Sequence, residues 1–464
     1  MKLKKINKAD PPGLTEKISY GIGDFANNGM FTFVSTYLMY YCTDQARLNM
    51  TFVSVILMLG SVVNAAFSPV MGILIDKVNG KFGKCRPFMA IGMLPACSLL
   101  ILLFSIKGNS RVNSIVILLV YIAFNMAYAM ENVPYTTLLT VITDDQKERI
   151  SLNLFKNIGS NAGGIFVTAA TLPLVSLFSG AGRNGYHDTA LFFGILFFIG
   201  MFLCVIHTEE RVGQTASAEK RKMPFSRVIK EDGPWRILCV VQFLTMMMII
   251  VRYSGSIYYA KYYLGNQFVS SAILTINSVI CLLMAMVLPF MERRLGLKKL
   301  VVFGDGLYCI AMIGTALAGK SVMMILFFHC LSSVGFAMAT GMIFVILSQT
   351  IDYAEWKTGV RPQELLTSLL AFAQKIGIGL AGLLSAQILK AGGYSADTAL
   401  TASAVFSIKM LFWGLPLALS ILIVIAMLFY QLDSSYPQMM QELQARRMQR
   451  KQTEINAQSD FSIK

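Results

Sequence analysis

Charge is scarce in this sequence. Only 14% of its 464 residues are Asp, Glu, Lys or Arg, whereas 55% are hydrophobic. Soluble domains carry roughly 25% charged residues. A chain so short of charge has more apolar surface than a water-soluble core can use, which excludes a string of soluble domains. Length alone would suggest about three of them, but no Pro-, Gly- or Ser-rich linker divides the chain. Histidine is almost absent, with three scattered copies. The eight cysteines (Cys42, Cys85, Cys97, Cys204, Cys239, Cys281, Cys309, Cys330) show no CxxC spacing. Most lie in apolar runs, where cysteine behaves as a small hydrophobe, so neither a disulfide framework nor a metal site is expected. No Ser/His/Asp set and no phosphate-binding loop is present. The GxG strings at 21–23 and 377–379 follow no strand, which argues against a dinucleotide site and against an enzyme.

What remains is a regular series of apolar runs, each about the 20 residues that cross a hydrocarbon core. They place spans at 18–43, 51–76, 88–107, 113–142, 151–178, 188–207, 235–264, 268–291, 299–319, 321–351, 365–391 and 407–430. The charged stretch TEERVGQTASAEKRKMPFSRVIKEDG interrupts the series after the sixth. The expected organisation is therefore a six-helix unit (1–207), a middle loop (208–233), a second six-helix unit (234–430) and a polar tail (431–464). Within the tail, QMMQELQARRMQRKQ reads either as an amphipathic surface helix or as a solvated extension. The first 16 residues are polar and the first apolar run is too long for a signal h-region, so no cleavable leader is read. The Asn49-Met50-Thr51 sequon lies too near a membrane surface to be read as a glycosylation site.

Lys and Arg alternate between loops. Lys2, Lys4, Lys5 and Lys8 precede the first span, and Lys77, Lys81, Lys84 and Arg86 lie in the second loop. Arg211, Lys220, Arg221, Lys222, Arg227 and Lys230 fill the middle loop, and Arg293, Arg294, Lys298 and Lys299 follow the eighth span. Arg446, Arg447, Arg450 and Lys451 lie in the tail. The opposite loops hold only Arg47, Lys107, Arg111, Arg183 and Lys320. This predicts cytoplasmic termini. The net charge of +15 is thus spread over alternate loops, which argues against a nucleic-acid partner.

Polar groups at membrane depth face a bundle interior or a water-filled cavity. Several form stripes at helical spacing: Tyr20, Asp24, Asn27 and Asn28; Asn125, Tyr128, Glu131 and Asn132; Asn153, Lys156, Asn157, Ser160 and Asn161, among Gly159, Gly163 and Gly164; Arg252, Ser256, Tyr259 and Tyr263; Ser348 and Gln349; Thr367, Ser368, Gln374 and Lys375. Interhelical hydrogen bonding with small residues at close crossings is the structural alternative for each neutral member. Asp24, Glu131, Lys156, Arg252 and Lys375 come from five spans and are expected to meet only in a common cavity. Such a cavity, with Tyr20, Tyr128 and Tyr259 offering a flat face, suits a polyhydroxylated solute.

Six ordered blocks carry a resemblance: EKISYGIGDFANN (16–28), SPVMGILIDKVNGKFGKCRP (68–87), NVPYTTLLTVITDDQKER (132–149), YYAKYYLG (258–265), DYAEWKTGVRPQE (352–364) and AFAQKIG (371–377). Together the chain, from about residue 14 to about 430, resembles the glycoside–pentoside–hexuronide:cation symporters of the major facilitator superfamily. The resemblance implies an all-α membrane protein of twelve helices in two six-helix bundles, a solute site between them and alternating access. It implies a multi-pass protein of the bacterial inner membrane, functioning as a monomer. By position it assigns Asn28, Tyr128, Asn132 and Lys375 to the solute pocket, Lys156 to a place usually held by arginine, and Asp76, Lys84 and Arg86 to a cytoplasmic gate.

One departure bears on coupling. Sodium-coupled members carry two aspartates one turn apart on the second span, where this chain has Asn64 and Ser68. The i, i+4 spacing keeps both on one face, but the negative charge is gone. Sodium coupling is therefore disfavoured, and a proton carried by Asp24 or Glu131 is favoured. With Lys156, Arg252 and Lys375 against Asp24 and Glu131, the cavity leans one charge positive. That suits a sugar acid, whereas mutual pairing would leave a neutral sugar as solute. An uncoupled facilitator, a non-transporting sugar sensor and a lysolipid transporter of related fold are the alternatives.

Overall fold

The computed structural model describes residues 11–78, 82–108, 110–143, 145–180, 184–211, 232–359, 362–395 and 401–462. Most of the expected middle loop, residues 212–231, lies outside the described residues, as do Lys2, Lys4, Lys5, Lys8, Lys81, Arg183 and Arg361. The first half comprises α1 (Leu14–Tyr40), α2 (Met50–Lys77), α3 (Arg86–Leu103), α4 (Arg111–Ile142), α5 (Gln146–Phe178) and α6 (Gly185–His207). The second comprises α7 (Gly233–Tyr258), α8 (Phe268–Leu295), α9 (Leu297–Leu317), α10 (Val322–Gly341), α11 (Ile343–Thr358), α12 (Gln363–Ala391), α13 (Ala402–Lys409) and α14 (Leu415–Leu428). A long tail helix, α15 (Leu432–Ser462), follows.

Local chemistry sets the ends. The Asn49 side chain accepts the Thr51 amide at 2.9 Å and caps α2, which gives the apparent sequon a structural use. Ser110, Asp145 and Asp232 cap α4, α5 and α7 in the same way. Gly296 (φ 78°) and Gly359 (φ 74°) stop α8 and α11 in a backbone region that side chains disfavour. Eleven helical stretches among the described residues are long and apolar enough to cross a membrane. The first helix misses that count because Asp24, Asn27 and Asn28 dilute its apolar run. It nevertheless packs against α5 and α6 in the middle of its bundle, so twelve membrane-crossing units stand.

Two findings differ from the runs read off the sequence. The tenth run is two helices, α10 and α11, broken at Met342. Gly341 sits at the break, where a Cβ would lie 2.4 Å from a Leu288 methyl and require that side chain to move. The tail is a continuous helix that docks on α11. Arg447 grips Glu355 (2.5 Å) and Asp352 (3.1 Å), Tyr436 donates to Asp352 (3.0 Å), and the Trp356 indole donates to Glu442 (2.8 Å).

Close crossings use the glycines. A Cβ on Gly159 would fall 1.9 Å from the Gly21 carbonyl oxygen, and one on Gly163 would fall 2.3 Å from that of Phe25, so α5 lies backbone-on-backbone against α1. These two glycines of the stripe on the fifth span therefore serve packing. Ile91, Leu94, Phe303, Phe344 and Leu428 point outward and stay more than half exposed, as side chains facing lipid do. The bundles meet along α2 with α12, α5 with α8, and α1 with α7.

Candidate functional site

A polar wall runs across the seam between the bundles. On α12, the Lys375 ammonium donates to Asn64 Oδ1 at 2.7 Å and to the Ser68 hydroxyl, both on α2. Ser68 in turn donates to the Asn64 carbonyl (2.7 Å), and Asn64 Nδ2 donates to Asn125 Oδ1 on α4 (3.2 Å). One turn along α4 the Tyr128 hydroxyl reaches the Asn27 carbonyl on α1 (3.5 Å), and Asn132 donates to that hydroxyl (3.5 Å). Asn28 donates to the Ser160 carbonyl on α5 (2.7 Å). Asp24 is buried on α1 with Ser160 and Lys156 of α5 near it, Lys156 being the neighbouring cation. Five helices thus present one continuous surface of amides, hydroxyls and charges.

The structure does not bring all five expected charges together. Asp24 faces Lys156, and Lys375 lies on the same wall. Glu131 is fully buried, and neither of its carboxyl oxygens has a partner among the described residues. Its neighbours are Cys97 on α3 and Cys204 on α6, so it points into the N-terminal bundle. Arg252 is enclosed in the C-terminal bundle and donates to His329 Nδ1 (2.7 Å) and Ser332 (3.0 Å). Its guanidinium lies over the rings of Tyr308 and Phe412. With Nδ1 accepting, His329 Nε2–H donates to the Ile273 carbonyl at 2.6 Å, a neutral imidazole.

Two of the tyrosines expected to offer a flat face are core residues. Tyr20 has no exposed surface and stacks on Tyr135 at 4.8 Å, and the Tyr135 hydroxyl donates to the Tyr20 carbonyl. Tyr259 stacks on Phe412 at 4.2 Å. Tyr128 alone of the three lies on the wall. Of the expected gate, the Asp76 side chain lies outside the described residues. Arg86 donates to the Val205 carbonyl (2.9 Å), and the backbone amides of Lys84, Cys85 and Arg86 all donate to Glu210. These contacts fasten the loop to the end of α6 inside one bundle. Glu210 was not singled out from the sequence. Its signal is the pairing of an acidic residue after α6 with the bare amides at the start of α3.

The sequence reading also missed Asp44. This carboxylate lies at the end of the protein opposite the termini, in a π-helical turn (Tyr41–Gln45) that continues α1. It accepts from Tyr262, from Tyr394 (3.0 Å) and from Lys261 (3.2 Å), all in the other bundle. Thr43 and Tyr258 share a bond at 2.6 Å beside it, and Lys261 donates to Tyr40 at 2.6 Å. The partners Lys261 and Tyr262 lie in a matching π turn (Tyr259–Tyr263) after α7. The available signal was the aromatic, charged run YYCTDQ at the same place in the first half as YYAKYY in the second.

Two six-helix bundles with a polar wall at their seam define a membrane transporter, not an enzyme. The comparisons make the class specific. The family described as MFS/sugar transport protein matches residues 19–434, and this chain belongs to it. It is 29% identical over 447 residues to the isoprimeverose transporter of Lactiplantibacillus pentosus, covering 94% of this chain and 92% of that one. It is 28% identical to a putative sulfoquinovose importer of Escherichia coli, with 90% of each chain covered. The fold matches the crystal structure of a D-xylose–proton symporter with a TM-score of 0.66 at 13% identity, over 91% of this chain and 98% of that one. The protein is a multi-pass sugar transporter of the bacterial inner membrane, of the glycoside–pentoside–hexuronide type.

Proposed function

We propose that this protein carries a sugar or sugar acid by alternating access, with symport to protons and not to sodium. The observation that carries the reading is the polar wall shared by α1, α2, α4, α5 and α12, which spans both bundles at their seam. The bundles, residues 1–207 and 234–430, rock about that wall as units. The Asp44 cluster closes the end opposite the termini, which the Lys and Arg distribution assigns to the periplasm. Opening that end requires Lys261, Tyr262 and Tyr394 to leave Asp44.

The charge balance supports an anionic solute. Asp24 is met by Lys156, Glu131 is turned away, and Lys375 has only neutral partners among the described residues. The wall therefore carries one net positive charge in the solute's path. The similarity to a putative sulfoquinovose importer fits an anionic sugar, and that to an isoprimeverose transporter fits a neutral glycoside as the second reading. Proton coupling rests on Asp24, on the wall, and on Glu131, buried behind it inside the N-terminal bundle. The protein works as a monomer in contact with membrane lipid.

The deciding experiment is uptake into proteoliposomes of matched pairs such as D-glucuronate and D-glucose. A pH gradient, acidic outside, should drive accumulation, and a sodium gradient should not. Uptake driven by sodium alone would refute the coupling, and failure to move any sugar would refute the function.

A further inference from the structure

We propose that the Lys375 ammonium is a tethered cation. It takes the place of a free alkali ion between the two bundles and so removes any need for one. The inference rests on the transport reading above and adds a role for one residue of its wall.

The geometry is that of a cation site built from neutral oxygens. The ammonium faces Asn64 Oδ1 at 2.7 Å, the Asn64 carbonyl at 3.4 Å and the Ser68 hydroxyl oxygen. Every donor around it points elsewhere. The Ser68 hydroxyl donates to the Asn64 carbonyl, Asn64 Nδ2 to Asn125 Oδ1, and Asn125 Nδ2 to the Tyr121 carbonyl (2.9 Å). The lone pairs are thereby left facing the positive charge. No carboxylate of the described residues lies within ion-pair distance of it.

A free sodium ion entering this bed would gain only neutral ligands for the hydration it gives up, so it binds weakly and loses to a cation already held there. The lysine needs no capture from solution. Its ammonium is held at the site by its own chain, at an effective concentration that a dissolved ion does not match. Competition for the same oxygens therefore favours the lysine. Because the cation is covalently attached, it cannot leave with the solute, and a sodium gradient has no ion to drive through this place. The contact also joins α12 to α2, so the charge helps hold the bundles together, as a bound ion would.

The test uses the full-length purified protein and thermal unfolding, because a ligand that binds the folded state raises Tm. The probes are sodium chloride and ethylammonium chloride, each against equimolar choline chloride. Wild type should show no difference. Lys375→Ala should be less stable in choline and should recover several degrees with sodium or ethylammonium. Lys375→Met serves as the probe should the alanine variant not fold, and Lys375→Arg should stay indifferent like wild type. A sodium-dependent rise in wild type overturns the proposal, and so does the absence of any response in both neutral variants. This readout needs no sugar, so it stands apart from the uptake experiment that tests the transport reading.

Discussion

The Lys375 ammonium and the Asn64 amide oxygen lie 2.7 Å apart across the seam between the two bundles. A neutral acceptor makes this a bond that can be broken in each cycle. In Asn64→Asp the acceptor becomes a carboxylate. A second charge adds Coulomb attraction to a bond that is already charge-assisted, so parting of the bundles should slow. The variant should bind solute, show a raised Tm and lose exchange rate in counterflow. An unchanged rate would mean that this contact does not part during transport.

Asp44 makes a second cross-seam set. In Asp44→Asn the amide must face four donors, Thr43, Lys261, Tyr262 and Tyr394, with only one acceptor atom. The ion pair has Lys261 about one-third exposed, so its loss should cost less than a fully buried pair, roughly 1–3 kcal/mol. The closed end should then open more often. Ser54, buried at the seam one turn inside, gives the measurement: a cysteine there should react faster with a membrane-impermeant maleimide in the Asp44→Asn background.

Among the described residues, Glu131 has no hydrogen-bond partner for either carboxyl oxygen. Under proton coupling, Glu131→Gln should keep counterflow and lose accumulation driven by a pH gradient. It should also raise Tm, because a buried ionisable group without a partner is costly. Asp24→Asn, by contrast, leaves Lys156 without its facing charge and should weaken solute binding itself. Identical behaviour of the two variants would remove the division of roles between them.

Asp232 caps α7 through the Trp235 amide at 3.0 Å, and its second oxygen has no partner among the described residues. Burial pushes its pKa up to about 6, from 3.8. A carboxyl with a raised folded-state value favours folding when protonated. Stability should therefore increase as pH falls from 7 through 6 towards 4, and decrease again as pH rises. A rise of that size corresponds to at most about 3 kcal/mol. Asn is an equally good cap, so Asp232→Asn should flatten the Tm–pH profile in that window and be the more stable form at pH 7.

Gly159→Ala places a methyl 1.9 Å from the Gly21 carbonyl oxygen. The obstacle is backbone, not a movable side chain, so α5 must separate from α1. A loss of about 1–3 kcal/mol is expected, as for overpacking generally, with a lower Tm. Gly72→Ala, which meets nothing within 4 Å, is the control.

Periodic apolar runs made the spans legible, because lipid imposes their length whatever the solute. The wall was legible in part. Asp24, Asn28, Asn64, Ser68, Tyr128, Asn132, Lys156 and Lys375 interrupt apolar stretches, and the structure brings them onto one surface. Tyr20, Tyr259, Glu131 and Arg252 interrupt theirs equally, yet point into the bundles. The direction of a polar residue depends on how each helix is rotated in its bundle, and composition does not carry that. Asp44 was invisible for another reason. Its place depends on a π turn, which adds a residue to the helical repeat and shifts every following side chain out of its expected register.

The tail helix is bolted to α11 through Arg447, Asp352 and Glu355, and so belongs mechanically to the C-terminal bundle. A reporter attached to it needs no engineering of the transport core. A dye at the exposed Gln444, paired with one at the exposed Ile150 on α5, forms a ruler with one foot on each bundle. Distances read from single molecules in a lipid nanodisc would record each stroke of the machine, solute by solute.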